Sequence, residues 1–113
     1  IIIMNYEREA SQLLRRLGAN SSYVGFYYVT YGVSQNIQKP ELITFITKGL
    51  YAEIAIKYQT TVGCVERDMR TVINTIWQHG NRELLEIIFE RNLTRKPRNG
   101  EFIDALSNYI INI

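Results

Sequence analysis

The sequence predicts an all-α domain of six or seven helices organised around an embedded helix-turn-helix. Three observations carry that expectation. Apolar residues recur at three- and four-residue spacing along most of the chain, the period that places them on one face of a helix. Residues 51–77 contain two such stripes separated by a short polar break, Gln59-Thr60-Thr61. Stop and start signals at Gly18, Lys39-Pro40-Glu41 and His79-Gly80-Asn81 divide the remaining stripes. With 113 residues and 46% hydrophobic content, the chain is long enough for one core and too apolar for disorder. The domain is assigned to residues 10–113, with residues 1–9 as a linker or the start of the first helix.

Taken in order, Tyr6, Ala10, Leu13, Leu14 and Leu17 mark the stripe of a first helix that Gly18 ends in a left-handed cap. Asn20, Ser21 or Ser22 is expected to cap a second helix over about residues 22–34. Its aromatic row, Tyr23, Phe26, Tyr27, Tyr28 and Tyr31, resembles a base-stacking platform. Val24, Tyr27, Tyr28 and Tyr31 nevertheless fall at helical spacing, so core is the better reading, with hydroxyls reaching the surface. Lys39-Pro40-Glu41 reads as a helix start with Pro in the first turn. Leu42, Ile43 and Ile46 face inward there, and Gly49 separates that helix from the next.

The central motif follows. Leu50, Ile54 and Tyr58 share a face with Ala55 beside them, a small side chain where two helix backbones cross. Thr60 or Thr61 is placed to cap the second helix of the motif, about residues 61–78. Many helix-turn-helix proteins carry Gly in the turn where this chain has Gln59. Val65, Met69, Val72, Ile73 and Ile76 form the inward stripe, leaving Gly63, Cys64, Glu66, Arg67, Arg70, Thr71 and Asn74 outward. Arg bonds the O6 and N7 edge of G, and Glu accepts from the amino group of C. Both suit the N-terminal turns of a helix in a major groove. Glu66 and Arg67 are therefore candidate base readers, with Thr61, Gly63, Cys64, Arg70 and Thr71 in the same face. The competing reading makes Glu66 and Arg70 an intrahelical ion pair on a solvated face, worth ~0.3–0.5 kcal/mol. Asp68, unfavourable near phosphate, belongs at the edge of any footprint.

His79-Gly80-Asn81 reads as a stop and a fresh cap, and the lone His79 as a solvated residue near the negative end of a helix dipole. A helix over residues 82–90 carries Leu84, Leu85, Ile88 and Phe89. Arg91, Arg95, Lys96 and Arg98 then cluster around Pro97 with no acidic residue among them, and Arg95, Lys96 and Arg98, with Lys57, are candidate phosphate contacts. A solvated basic loop is the alternative. The last helix, from Asn99 or Gly100, places Phe102, Ile103, Leu106, Tyr109, Ile110 and Ile113 in the core.

One His, one Cys and scattered acids provide no nucleophile-base pair, metal cluster or glycine-rich phosphate loop, so neither catalysis, a metal nor a cofactor is expected. A net charge of +2 is low for a nucleic-acid binder, which requires the charge to be unevenly distributed. The single Cys64 suits a reducing cytoplasm. No apolar run approaches the roughly 18 residues of a membrane span, and Ile1-Ile2-Ile3-Met4 lacks the features of a signal peptide. Because the chain does not begin with Met, it is expected to be a fragment of a longer protein.

Leu50-Tyr51, Ile54-Ala55, Lys57-Tyr58, Thr60-Thr61, Val65-Glu66-Arg67, Arg70, Trp77, Gly80-Asn81, Asn99 and Glu101-Phe102-Ile103 carry a resemblance. Over about residues 10–111 the chain resembles the C-terminal effector domain of the stage-zero sporulation transcription factor, a response regulator of endospore-forming bacteria. The resemblance implies binding to a short G/C-containing promoter box on double-stranded DNA, often as tandem copies, and contact with the RNA polymerase sigma subunit. It implies base contacts from Glu66 and Arg67, with Arg70 beside them, and an N-terminal receiver domain in the full-length protein. The chain departs from the best-known members at Gly63-Cys64, where they carry Ser-Arg, and at Thr71, where they carry His. One cation and one polar contact are missing, which bears on the flanking bases and on affinity. The expectation is a sequence-specific DNA-binding regulator. The alternative is a helical protein-protein module, an adaptor or antagonist, that keeps the fold without reading DNA. A homodimer on tandem sites would use an apolar residue left exposed on the helix over residues 82–90 or on the last helix.

Overall fold

Residues 5–113 are described by a computed structural model, and the reading of residues 1–4 lies outside them. Among the described residues there are six α-helices and no strand: α1 (Tyr6–Leu17), α2 (Val24–Gln38), α3 (Ala52–Tyr58), α4 (Val62–His79), α5 (Arg82–Phe89) and α6 (Asn99–Ile111). In α1 the Asn5 side chain accepts from the Arg8 N–H at 3.1 Å. Glu7 and Glu9 sit in its first turn and Arg15 and Arg16 in its last, the arrangement the helix dipole favours. Gly18 closes it with φ of 109°, its N–H donating to the carbonyls of Leu14 and Arg15. Ala10, Leu13, Leu14 and Leu17 are buried, as their spacing predicts.

The second helix differs from its sequence-based expectation in three ways. It runs to Gln38, because nothing breaks it before Pro40. Its N-cap is Tyr23 without a side-chain bond, because the Asn20 carboxamide accepts instead from the backbone N–H and hydroxyl of Ser22. Its core face is Phe26, Val29 and Val33, with Tyr28 beside them, whereas Val24 and Tyr27 are exposed and Tyr31 is half-buried. The reason is that α2 packs against α1, α4 and α6 at once, so no single stripe describes its buried surface. The approach to α4 is close: a Cβ on Gly25 would stand 2.1 Å from the Asp68 carbonyl oxygen.

Between α2 and α3 the chain forms a 3-10 turn (Pro40–Ile43) and a π turn (Thr47–Tyr51) that runs directly into α3. Gly49 therefore does not separate two helices. It lies where a Cβ would meet the Leu42 carbonyl oxygen at 2.4 Å, so its role is close approach. Leu42, Ile43 and Ile46 are only half-buried, while Leu50, Ile54 and Ala55 are fully in the core and Tyr58 is half-buried. Asn81 caps α5 by accepting from the Leu84 N–H at 3.0 Å, and its own N–H donates to the Leu17 carbonyl at 2.9 Å, tying the α4–α5 corner to the end of α1. Helix α5 stops at Phe89, with Glu90 in the left-handed region at φ of 56°. In α6, Phe102, Ile103, Leu106 and Ile110 are buried, but Ile113 lies beyond the helix and is exposed, against expectation.

A methyl group at Gly25 would force α2 and α4 apart at a backbone contact that no rotamer change relieves. Gly25→Ala is expected to cost about 1–3 kcal/mol, the range for overpacking, read as a lower urea midpoint. An unchanged midpoint would mean that the two helices do not cross this closely.

Candidate nucleic-acid interface

Helices α3 and α4 meet across a turn centred on Gln59, which occupies the left-handed region at φ of 54° and ψ of 49°. The following amide, of Thr60, donates to the Ala55 carbonyl at 3.0 Å and closes α3. A non-glycine residue there costs about 1–2 kcal/mol relative to ordinary helical backbone, which the packing of Ile54 and Ala55 against the core offsets. Thr61 then caps α4, its hydroxyl oxygen accepting from the Cys64 N–H at 3.1 Å. The motif is complete without a turn glycine.

Helix α4 buries Val65, Met69, Val72, Ile73 and Ile76, and turns Gly63, Arg67, Arg70 and Thr71 to solvent. Cys64, Glu66 and Asn74 are half-buried at the edges of that face. A Cβ on Gly63 would meet open space. The outward side chains are already paired. Arg70 forms the i,i+4 ion pair with Glu66. The Arg67 guanidinium holds Asp68 Oδ1 through Nε at 3.4 Å and reaches Cys64 Sγ through Nη2 at 3.6 Å. Thr71 turns its hydroxyl back to the Arg67 carbonyl at 3.1 Å. The hydroxyls of Thr61 and Thr60, with the Arg67 charge, hold the Cys64 thiol below its ordinary pKa.

The basic loop folds against this face. Lys96 Nζ donates to Asn74 Oδ1 at 2.6 Å. Although no acid lies among the loop cations in sequence, Glu101 reaches back from α6 and takes Arg95 in a bidentate pair, both N–O distances 3.0 Å. The Arg98 N–H donates to the same carboxylate at 2.9 Å, and Arg98 itself is exposed. Those two donors pull the Glu101 carboxyl down to about 2. Asn99, buried beside it, donates both amide hydrogens, to the Glu66 carbonyl and to the Tyr51 hydroxyl, each at 3.0 Å. Burial pushes the Tyr51 phenol up, so it stays neutral and available as that acceptor.

Arg70, Lys96 and Arg98 thereby line one cleft of about 480 Å³, with Glu66 and Glu101 in its wall. Lys57 stands apart on α3, exposed, its ammonium 5.5 Å from the centre of the Tyr31 ring. Arg95 pairs with Glu101 while its side chain stays 54% exposed. Sequence reasoning gave no structural role to Asn99 and Glu101, which position the loop. A Glu at the third position of a helix is the usual partner of an N-cap backbone N–H, and that spacing was the available signal. Ile87 on α5 and Ile111 on α6 are the exposed apolar residues of those two helices. Among the described residues no group of His, Cys, Asp and Glu could hold a metal, and no helix is long and apolar enough to cross a membrane.

Comparison with known families gives a match to the one described as "Sporulation initiation factor Spo0A C terminal", over residues 10–110. The matched region runs from within α1 to the last turn of α6 and includes the whole helix-turn-helix.

Because the folded carboxyl of Glu101 titrates near 2 against an ordinary value of 4.5, its contribution to stability is present above pH 4.5 and lost as pH falls toward 2. Glu101→Gln should lower the thermal midpoint at neutral pH and flatten the acid limb in that window. A variant whose acid limb overlays the wild type would remove Glu101 as the anchor of the loop.

Proposed function

The chain belongs to the Spo0A C-terminal family, the helical DNA-binding domain of a sporulation initiation factor, and from that premise we propose a sequence-specific transcription regulator whose α4 lies in the major groove of a promoter box. The observation that carries the reading is the division of α4, with five buried residues on one side and Arg67, Arg70 and Thr71 exposed on the other. Arg67 bonds a G edge and Glu66 accepts from a C amino group. Gly63 and Cys64, with the capping Thr61, form the first turn that approaches the bases, and Thr71 stands one turn further on. Arg70, Lys57, Lys96 and Arg98 hold phosphates, and Arg95 acts through Glu101 by ordering the loop.

The existing pairs do not block this role. An exposed i,i+4 pair is worth about 0.3–0.5 kcal/mol, so Arg70 exchanges Glu66 for a phosphate at little cost, and that exchange frees the carboxylate for a base. By family resemblance the regulator acts in the cytoplasm, as the effector part of a response regulator, and touches the RNA polymerase sigma subunit. Ile87 and Ile111 are the surfaces offered to a second copy on tandem boxes.

A protein-protein module of the same fold is the second reading, and the pairing of Arg67, Arg70 and Arg95 with carboxylates favours it. Salt separates the two. Binding to duplex DNA releases counterions and weakens steeply between two salt concentrations, whereas an adaptor shows no saturable shift of promoter duplexes at either. In that titration Arg67→Ala should cost about 1–3 kcal/mol on the preferred box, relax one base pair and leave random duplex nearly unaffected. Arg98→Ala should weaken all duplexes alike and reduce the salt slope by about 0.9. Arg67→Ala with intact box preference would remove Arg67 as a base reader and Arg98→Ala with an intact slope would remove Arg98 as a phosphate contact, while the absence of any saturable shift is the result that speaks for the protein-protein module.

A further inference from the structure

Resting on Arg67 as a base contact, we infer that Asp68 is a positioning residue for base recognition: its carboxylate grips Arg67 by Nε and aims the Nη edge of the guanidinium outward. The geometry is specific about which donors are used. Asp68 Oδ1 takes Nε at 3.4 Å, and among the described residues the other hydrogen bond of the guanidinium, Nη2 to Cys64 Sγ at 3.6 Å, is to a thiol. Sulfur is a weak acceptor and yields readily to an oxygen or ring nitrogen. With Nε engaged, the two terminal nitrogens are the donors left for the O6 and N7 of a guanine met end-on, and a side-on approach through Nε must first exchange the Asp68 contact.

Asp68 is suited to this because its backbone is closely packed. Its carbonyl oxygen lies against Gly25, where even a Cβ would come within 2.1 Å, so α2 pins the backbone that carries the carboxylate. Its side chain is 28% exposed against 61% for Arg67, a sheltered anchor for a projecting arm. A long Arg side chain loses rotamer freedom when it orders on a base, and ordering it beforehand removes part of that loss. The carboxylate also stands near phosphates in such a complex and repels them. The combined signature is better discrimination at one base pair without a gain in general DNA affinity, the opposite of what an added cation does.

The test uses a duplex selected from a randomised pool by the wild-type chain, its single-base-pair substitution series, and a random-sequence duplex. Asp68→Ala, which improves helix propensity and so should fold, is expected to lower discrimination about 2- to 5-fold, the fold-change of an exposed ion pair. The loss falls at the base pair that Arg67→Ala also relaxes, while binding to random duplex is equal or tighter. Asp68→Asn keeps an Oδ1 acceptor and restores most of the discrimination. In an Arg67→Ala background Asp68→Ala changes nothing at that position. Intact or sharper discrimination in Asp68→Ala, where Arg67→Ala has lost it, overturns the positioning role alone. If Arg67→Ala loses no discrimination, the base-contact reading fails and the positioning role with it. Independently, the Arg67 Nε–H resonance of the free chain should move in Asp68→Ala, and an unmoved resonance also overturns the proposal.

Discussion

The crossing of α2 over α4 is the constraint on which the rest of the domain depends. Val65, Met69, Val72, Ile73 and Ile76 are at most 2% exposed, and burial of each such side chain contributes about 1.5–3 kcal/mol. That sum fixes the rotation of α4 about its own axis. The glycine at the crossing fixes its depth, because only a hydrogen fits between Gly25 and the Asp68 carbonyl. Once rotation and depth are set, the outward residues follow with no freedom left, since every residue of a helix lies about 100° from the last. The outward face of α4 is thus a consequence of how the opposite face packs.

Polar contacts then attach the C-terminal third of the domain to that helix. Asn99 ties the start of α6 to the Glu66 carbonyl and to Tyr51 ahead of α3. Lys96 ties the loop to Asn74, and Glu101 ties Arg95 and the Arg98 N–H to α6. The buried Asn99 amide is costly to leave unpaired, about 1–3 kcal/mol, so the start of α6 has one favoured position relative to α4. The arrangement brings cations that are distant in sequence to one cleft, so that a chain of net charge +2 gathers Arg70, Lys96 and Arg98 along one edge.

Much of this was legible where a helix has one buried side. The stripes of α1, α4 and α6 named their core residues apart from the half-buried Tyr6 and Tyr109 and the exposed Ile113, and Thr61, Asn81 and Gly18 were recognisable as caps because their chemistry is local. Helix α2 was not legible in the same way. Enclosed by three neighbours, it spreads its buried residues around the axis, so Val24 and Tyr27 fell on a plausible stripe yet face solvent. Gly49 looked like a breaker and is a contact point, a distinction that only the position of Leu42 reveals. The loop cations looked free because their carboxylate, Glu101, lies six residues from Arg95, across a helix start. Asn74 and Lys96 are 22 residues apart, and nothing in either neighbourhood announces their bond.

The central claim is that the outward face of α4, with the loop docked beside it, is the surface that meets DNA. Amide chemical-shift mapping of the free chain titrated with a promoter-box duplex tests it most directly. The expected result is saturable perturbation confined to residues 57–74 and 95–99, with α1 and α5 unmoved and the shifts reversed by added salt. Perturbation centred on Ile87 and Ile111, or no saturable shift in α4 at low salt, would contradict it.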